Sequence, residues 1–196
     1  ESEIAALIEY LFKKQGAPSA AYESIVAGGD NANTLHYISN NQVLNGGDLL
    51  LIDAGAEFNL YASDVTRTFP IDGKFSGIQK EVYQLVLESQ KSCINMSLPG
   101  KSLTEIHNES CKILTQGLID LKVLTGSLDE NITNSHYKKY YPHGTSHWLG
   151  MDVHDECHYY SETQQDVQLA EGMIFTIEPG LYFPSCDKSI RKELQG

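Results

Sequence analysis

At 196 residues the chain can bury the core of one domain, and 41% hydrophobic against 20% charged residues excludes a disordered polymer. Fourteen Lys and Arg against 26 Asp and Glu leave a net charge of −12, which argues against nucleic acid as a partner. No apolar run approaches the ~20 residues of a membrane span, so no membrane association is expected. Cys93, Cys111, Cys157 and Cys186 show no paired spacing and no secretory signal opens the chain. Free thiols in a reducing compartment are therefore expected, the cytoplasm first and the mitochondrion as the alternative.

The predicted elements begin with an amphipathic helix over 3–15, where Ile4, Leu7, Ile8, Leu11 and Phe12 recur three and four apart. Gly16 and Pro18 end it. A strand-like segment from Tyr22 to Ala27 runs into a polar turn at Gly28 to Asn31, and a short extended piece carries Leu35, His36 and Tyr37. Asp48 to Asp53 encloses the unbroken apolar run of a buried strand. A turn at Gly55 leads to a second strand near Asp64 to Phe69. Helices are expected at roughly 77–96 and 102–121 from apolar periodicity. The first gathers Ile78, Val82, Leu85, Val86 and Cys93 on one face. The second opens on a capping box, Ser102 with Glu105, and buries Leu103, Ile106, Ile113, Leu114, Leu118 and Leu121. A histidine-rich segment follows, then a strand through Glu178.

Two stretches echo each other. Gly47, Asp53 and Gly55 share one offset, 125 residues, with Gly172, Glu178 and Gly180, and Phe58 keeps it with Phe183. In each, a glycine precedes an apolar strand that ends in an acid just before a glycine turn. That plan points to two related halves facing a shared site.

The candidate site lies at these acids. A carboxylate ending an apolar strand is costly unless it is paired, hydrogen-bonded or metal-bound. Asp53 and Asp64 stand on the two arms of a predicted hairpin, which can set them across from each other facing one pocket. Two structural alternatives stay open: Asp53 as a turn former before Gly55, and Asp64 as the ion-pair partner of Arg67. His143, His147 and His154 crowd a glycine-containing segment, and His147 is the candidate metal-binding imidazole. Several carboxylates around one imidazole suit manganese, cobalt or zinc better than calcium, and three acids carry charge enough for two metals. The other histidines are then free to donate hydrogen bonds to a substrate carbonyl.

Five blocks together resemble the pita-bread metallopeptidases, and within them the aminopeptidase P branch. They are Tyr22 to His36, Ile52 to Ala56, Ser63 to Phe69, His143 to Gly150 continuing to His154 and Asp155, and Thr176 to Tyr182. The resemblance covers essentially the whole chain. It implies an α+β fold of two related halves, with a curved antiparallel sheet covered by helices. It implies two divalent metals, manganese first with zinc or cobalt as alternatives. Asp53 would hold one, Asp64 would bridge both, and His147 and Glu178 would hold the other, Glu178 also acting as general base or acid. His36, His143 and His154 match the family's substrate-contacting histidines. His154 or His143 would stabilise the oxyanion, and His36 would line the pocket for the leaving proline side. The implied reaction removes the N-terminal residue from peptides with proline second. The implied assembly is a homo-oligomer, dimer or tetramer.

The family's second bridging glutamate and its neighbouring arginine find no match. Asp187, Glu193 and Arg191 are the only acids and the only arginine after Glu178, and their surroundings differ from the family pattern. Residues 1–196 are therefore expected to form a catalytic domain incomplete at both ends, with an N-terminal domain and the last C-terminal strands outside it. Two rival readings accompany this one. A prolidase would share the metal set and take only dipeptides. A metal-free binding module of the same fold would be expected to have lost the metal acids, yet Asp53, Asp64, His147 and Glu178 are all present.

Overall fold

The apolar run after Asp48 forms the middle strand of the larger of two three-stranded antiparallel sheets. In the computed structural model, which describes all of residues 1–196, β2 (Ile25–Gly28), β3 (Leu49–Ala54) and β6 (Val65–Pro70) lie in the order β2-β3-β6. β3 pairs with β2 in a register that sets Ile25 against Asp53, and with β6 in one that sets Asp53 against Thr66. β1 (Ser19–Ala20), β4 (Ala56–Phe58) and β5 (Tyr61–Ala62) make the smaller sheet. β3–β6 and β4–β5 are one long hairpin with a single register, which puts Gly55 opposite Asp64. Asn59 and Leu60 close its tip with positive φ at both positions, as a tight hairpin turn requires. A Cβ on Gly55 would stand 1.6 Å from the Ser63 carbonyl oxygen, so only glycine lets the two arms meet this closely.

Several expectations are corrected here. β3 is a strand but is not fully buried: Leu50 is inside and its other residues are half-buried. The unbroken run reflects hydrogen bonding on both edges, while the main core lies elsewhere. The strand expected from Tyr22 begins only at Ile25, because β2 finds its partner from Asp53 onward. Leu35 and His36 are not extended but lie in a turn, His36 with φ at +56°. α1 (Ser2–Lys14) forms as its periodicity predicts, yet buries no apolar residue and leaves Leu7 and Leu11 exposed. Periodicity signals a helix with an apolar face, and that face is open in this chain.

The core is helical. α2 (Gly77–Met96) and α3 (Leu103–Asp120) each start with a capping box, Ser76 with Gln79 and the expected Ser102 with Glu105. They approach closely at Gly117, where a Cβ would stand 2.1 Å from Leu85 Cδ2. Leu114 and Leu118 of α3 pack with Tyr137, Tyr140, Tyr141, Phe183, Ile190 and Leu194, and Val82 and Leu85 of α2 close over them. Ile113, expected inside, is half-buried. A short α4 (Leu128–Thr133) escapes periodicity, being under two turns long. A second cluster joins Cys93, Leu103, Ile106 and Leu169 to Trp148.

The strand expected through Glu178 is an extended segment paired on one edge only. Leu149 N donates to Ile174 O at 3.2 Å, Thr176 N to His147 O at 2.9 Å, and Glu178 N to Thr145 O at 2.8 Å. In both echoed stretches the acid-bearing segment thus lies antiparallel to an upstream segment, the strand β2 in the first and the irregular histidine segment in the second, with Asp53 facing Ile25 and Glu178 facing Thr145. The likeness stops at the phenylalanines: Phe58 is exposed near the hairpin tip and Phe183 lies in the core.

Candidate metal centre

Side chains alternate across an extended segment, so burying Trp148 turns its neighbour His147 to the opposite face, toward the hairpin. There His147 Nε2 lies 3.2 Å from Asp64 Oδ2 and 3.0 Å from Glu178 Oε1. Asp64, His147 and Glu178 form a group whose ligand atoms all lie within 4.8 Å of one another. His147 Nδ1 is 2.9 Å from the Trp148 carbonyl. A carbonyl only accepts, so Nδ1 carries the hydrogen and Nε2 is the atom turned toward the carboxylates. Thr176 ties the ribbon together, accepting from the His147 amide at 3.0 Å and donating to Glu178 Oε1 at 2.7 Å.

Asp53 and Asp64 are not directly opposite, as the hairpin argument expected. The register makes them diagonal neighbours on one face, since Asp53 faces Thr66 and Asp64 faces Gly55. Tyr22 joins them: its hydroxyl donates to Asp53 Oδ1 at 2.5 Å and lies 3.2 Å from Asp64 Oδ1. Neither structural alternative for these acids holds. Asp53 is in a strand, and the Arg67 guanidinium donates to the Thr66 carbonyl instead of pairing with Asp64.

The remaining histidines divide. His154 stacks edge-on against His147 with ring centroids 4.4 Å apart, and His36 lies 6.5 Å from His154. His143 stands apart from this trio, its Nε2 2.9 Å from the Tyr182 hydroxyl and its ring edge-on to Tyr141. Tyr22, Thr176 and Tyr182 belong to the site and were missed as functional residues. Thr176 had a signal, since residues two apart on a strand share a face and Glu178 is two beyond it. Asp187 is engaged elsewhere, with Lys139 at 2.8 Å, and Arg191 donates to the Leu121 carbonyl, so neither completes the site.

The electrostatics fit a cation. Burial pushes the Asp53 carboxyl above its ordinary value, and the charges of Asp64 and Glu178 add to this against the Tyr22 hydrogen bond. Burial also pushes Tyr182 up to about 12, with Glu178 and Asp53 contributing. Burial alone would lower His147, but its hydrogen bonds to Asp64 and Glu178 outweigh that and carry it up to about 10. An imidazole among oxygen ligands is the donor set of a manganese, cobalt or zinc site.

A hairpin and a histidine ribbon that converge acids on one imidazole, backed by two helices, form a carboxylate–imidazole group able to hold a metal ion on an antiparallel α+β scaffold. The chain belongs to metallopeptidase family M24, whose model matches residues 1–194. It is 46% identical to the Xaa-Pro aminopeptidase of Haemophilus influenzae over all of its own length and 45% of that protein's. It is 40% identical to the Xaa-Pro aminopeptidase of Escherichia coli, across 96% of this chain and 42% of the relative. Among solved structures, aminopeptidase PepP of Pseudomonas aeruginosa superposes with a TM-score of 0.97 at 44% identity, covering all of this chain and 44% of that one. The zinc-substituted aminopeptidase P of Escherichia coli, in complex with product, superposes at 0.95 with 39% identity and the same coverage. The pita-bread fold expected from the sequence is therefore the fold of this chain. The chain spans less than half the length of these relatives.

Proposed function

We propose that the protein is a metal-dependent aminopeptidase that removes the first residue from peptides with proline at the second position. The observation that carries this reading is the His147 Nε2 held 3.2 Å from Asp64 and 3.0 Å from Glu178. Relatives named Xaa-Pro aminopeptidase, at 40–46% identity, supply the substrate class. Two divalent ions are assigned, manganese first, with zinc or cobalt as alternatives. Asp53, Asp64, His147 and Glu178 would hold them. When bound, such ions supply Lewis acidity and activate water at neutral pH.

The chain's own groups divide the remaining work. Glu178, held by the Thr176 hydroxyl, moves the proton as general base or acid. His154, beside His147, donates to the developing oxyanion; His143, whose Nδ1 faces the Gly144 carbonyl and whose Nε2 faces the Tyr182 hydroxyl, is the alternative donor and would have to release one of these contacts to act. His36 lines the pocket on the proline side. Tyr22 keeps Asp53 and Asp64 aimed together. Homo-oligomeric assembly belongs to the same reading. All four cysteines are free, in accord with a reducing compartment, and no helix is long and apolar enough to cross a membrane.

The test is peptide cleavage by the complete polypeptide with manganese added, Xaa-Pro-Xaa tripeptides beside Xaa-Pro dipeptides. Cleavage of the tripeptide at the Xaa-Pro bond is expected. Cleavage of the dipeptide alone would make the protein a prolidase. Silence on both with metal bound would overturn the substrate, and silence without metal would overturn the enzyme.

A further inference from the structure

The carboxylate of Glu1 lies outside the metal centre and is used by none of the chemistry above. The residue is only 8% exposed and enters no ion pair with a cationic side chain. Its charge is satisfied by four donors. Oε1 accepts from the Gly28 amide and the Asn31 side chain, each at 2.9 Å; Oε2 accepts from the Tyr37 hydroxyl at 2.9 Å and the Gln42 amide at 2.8 Å. Burial pushes this carboxyl up, and the four hydrogen bonds together outweigh it, leaving it below the ordinary glutamate value. A buried carboxylate this fully satisfied holds its donors in place, because losing any one of them strands part of a charge.

All four donors lie in one connection, from the end of β2 to Gln42. Between Gly28 and Leu49 the chain has no strand and no α-helix, only a 3-10 turn at 29–33. A connection of that length needs its own anchors to keep one shape. Asn40 supplies the second: its side chain accepts from the Val26 amide at 2.8 Å and donates to the Ser24 carbonyl at 2.7 Å, fastening the far end of the loop along β2. Between the anchors stands His36, at φ +56° and 6.5 Å from the His154 ring. A left-handed backbone at a non-glycine residue persists only where its surroundings hold it. The next residue, Tyr37, is the one whose hydroxyl Glu1 receives.

We propose that Glu1 is a positioning residue for His36: its buried carboxylate fixes the 28–42 loop and thereby sets the His36 imidazole at the rim of the metal centre. The effect on turnover rests on the aminopeptidase reading given above; the positioning itself does not.

The experiment uses Glu1→Gln in the complete polypeptide, with kcat/KM on an Xaa-Pro-Xaa tripeptide in the manganese-loaded form and imidazole NMR in the diamagnetic zinc-loaded form as separate readouts. The amide keeps the shape but turns an NH2 toward two of the four donors. A shift of the loop by about 1 Å lowers kcat/KM by on the order of tenfold to a hundredfold. Metal content is expected to stay unchanged. In a His36→Ala background the same substitution should cost less than about twofold, since its effect passes through the missing ring. An equal loss in both backgrounds would show that Glu1 acts through the fold at large and overturn the proposal. The His36 imidazole resonances should move in Glu1→Gln while those of His143, on another segment, stay. Unmoved His36 resonances overturn the proposal whether or not the protein cleaves peptides. A wild type that is inactive while His36 moves would overturn the aminopeptidase reading and leave the positioning standing. If Glu1→Gln fails to fold, Tyr37→Phe removes the bond to Glu1 nearest His36, together with the Asn31 bond to the same hydroxyl, and is read in the same ways.

Discussion

Replacing Gly55 by alanine tests how closely the hairpin must pack to aim its two aspartates. The new Cβ would fall 1.6 Å from the Ser63 carbonyl oxygen, and contact opens only from 3.0 Å, so the arms must part by about 1.4 Å. The neighbouring bonds resist that movement. Ser63 N donates to Ala56 O at 3.0 Å, and Ala62 N to Gly150 O at 2.8 Å. Asp64 follows Ser63 and Asp53 precedes Gly55 by two, so the strain falls on the line between the two carboxylates that Tyr22 bridges. Overpacking of this kind costs about 1–3 kcal/mol, and misplacing a reacting group by ~1 Å costs roughly a hundredfold in rate. Urea unfolding should show that stability loss, and manganese titration followed by electron paramagnetic resonance should show weakened binding. Gly144→Ala is the control, because its Cβ would meet only the Ser146 carbonyl, at 3.8 Å. A Gly55→Ala protein that unfolds and binds manganese like the wild type would refute the reasoning.

Three further outcomes concern the scaffold. Leu118→Ala empties a fully buried position in the core between α3 and the C-terminal segment, and should cost about 2–5 kcal/mol in urea unfolding without changing the metal ligands. Ser102→Ala removes the acceptor for the Glu105 amide at the start of α3, and a loss of about 0.5–2 kcal/mol is expected in the same measurement. Asp30 reports on pH. Burial pulls its carboxyl up, but the Ser185 hydroxyl and amide and the Asn33 side chain together hold it below the ordinary aspartate value. A lowered folded pKa contributes stability that is present above the unfolded value and lost as pH falls through the folded one. Asp30→Asn should therefore be less stable than wild type at neutral pH, the gap closing below about pH 4; a gap of constant size across pH 2–7 would contradict the assignment.

Helices α2 and α3 were legible because each carries whole turns of apolar periodicity, and α3 a capping box written in two residues. The hairpin was legible from its apolar run and Gly55, but its register was not: whether Asp64 faces Asp53 or lies diagonal to it depends on where the tip turns. That is set by Asn59 and Leu60, which carry no strong turn signature. His36 looked extended because Leu35 and Tyr37 flank it; the Glu1 and Asn40 side chains that bend the loop are remote in sequence. Asp53, Asp64 and Glu178 were read from acids placed at the ends of apolar runs and His147 from a segment crowded with histidines and glycines, together with a family resemblance. Tyr22 and Tyr182 were not, because a tyrosine in a loop gives no sign of what its hydroxyl reaches. The open face of α1 shows the limit of periodicity, which marks an apolar stripe and says nothing of what covers it.

The most direct measurement is metal content of the complete polypeptide after reconstitution with manganese, by inductively coupled plasma analysis, for wild type and His147→Ala side by side. The account predicts bound manganese in the wild type and a loss of metal in His147→Ala with the circular dichroism spectrum unchanged. Metal retained in full by His147→Ala, or less than about half an equivalent bound by the wild type, would contradict it.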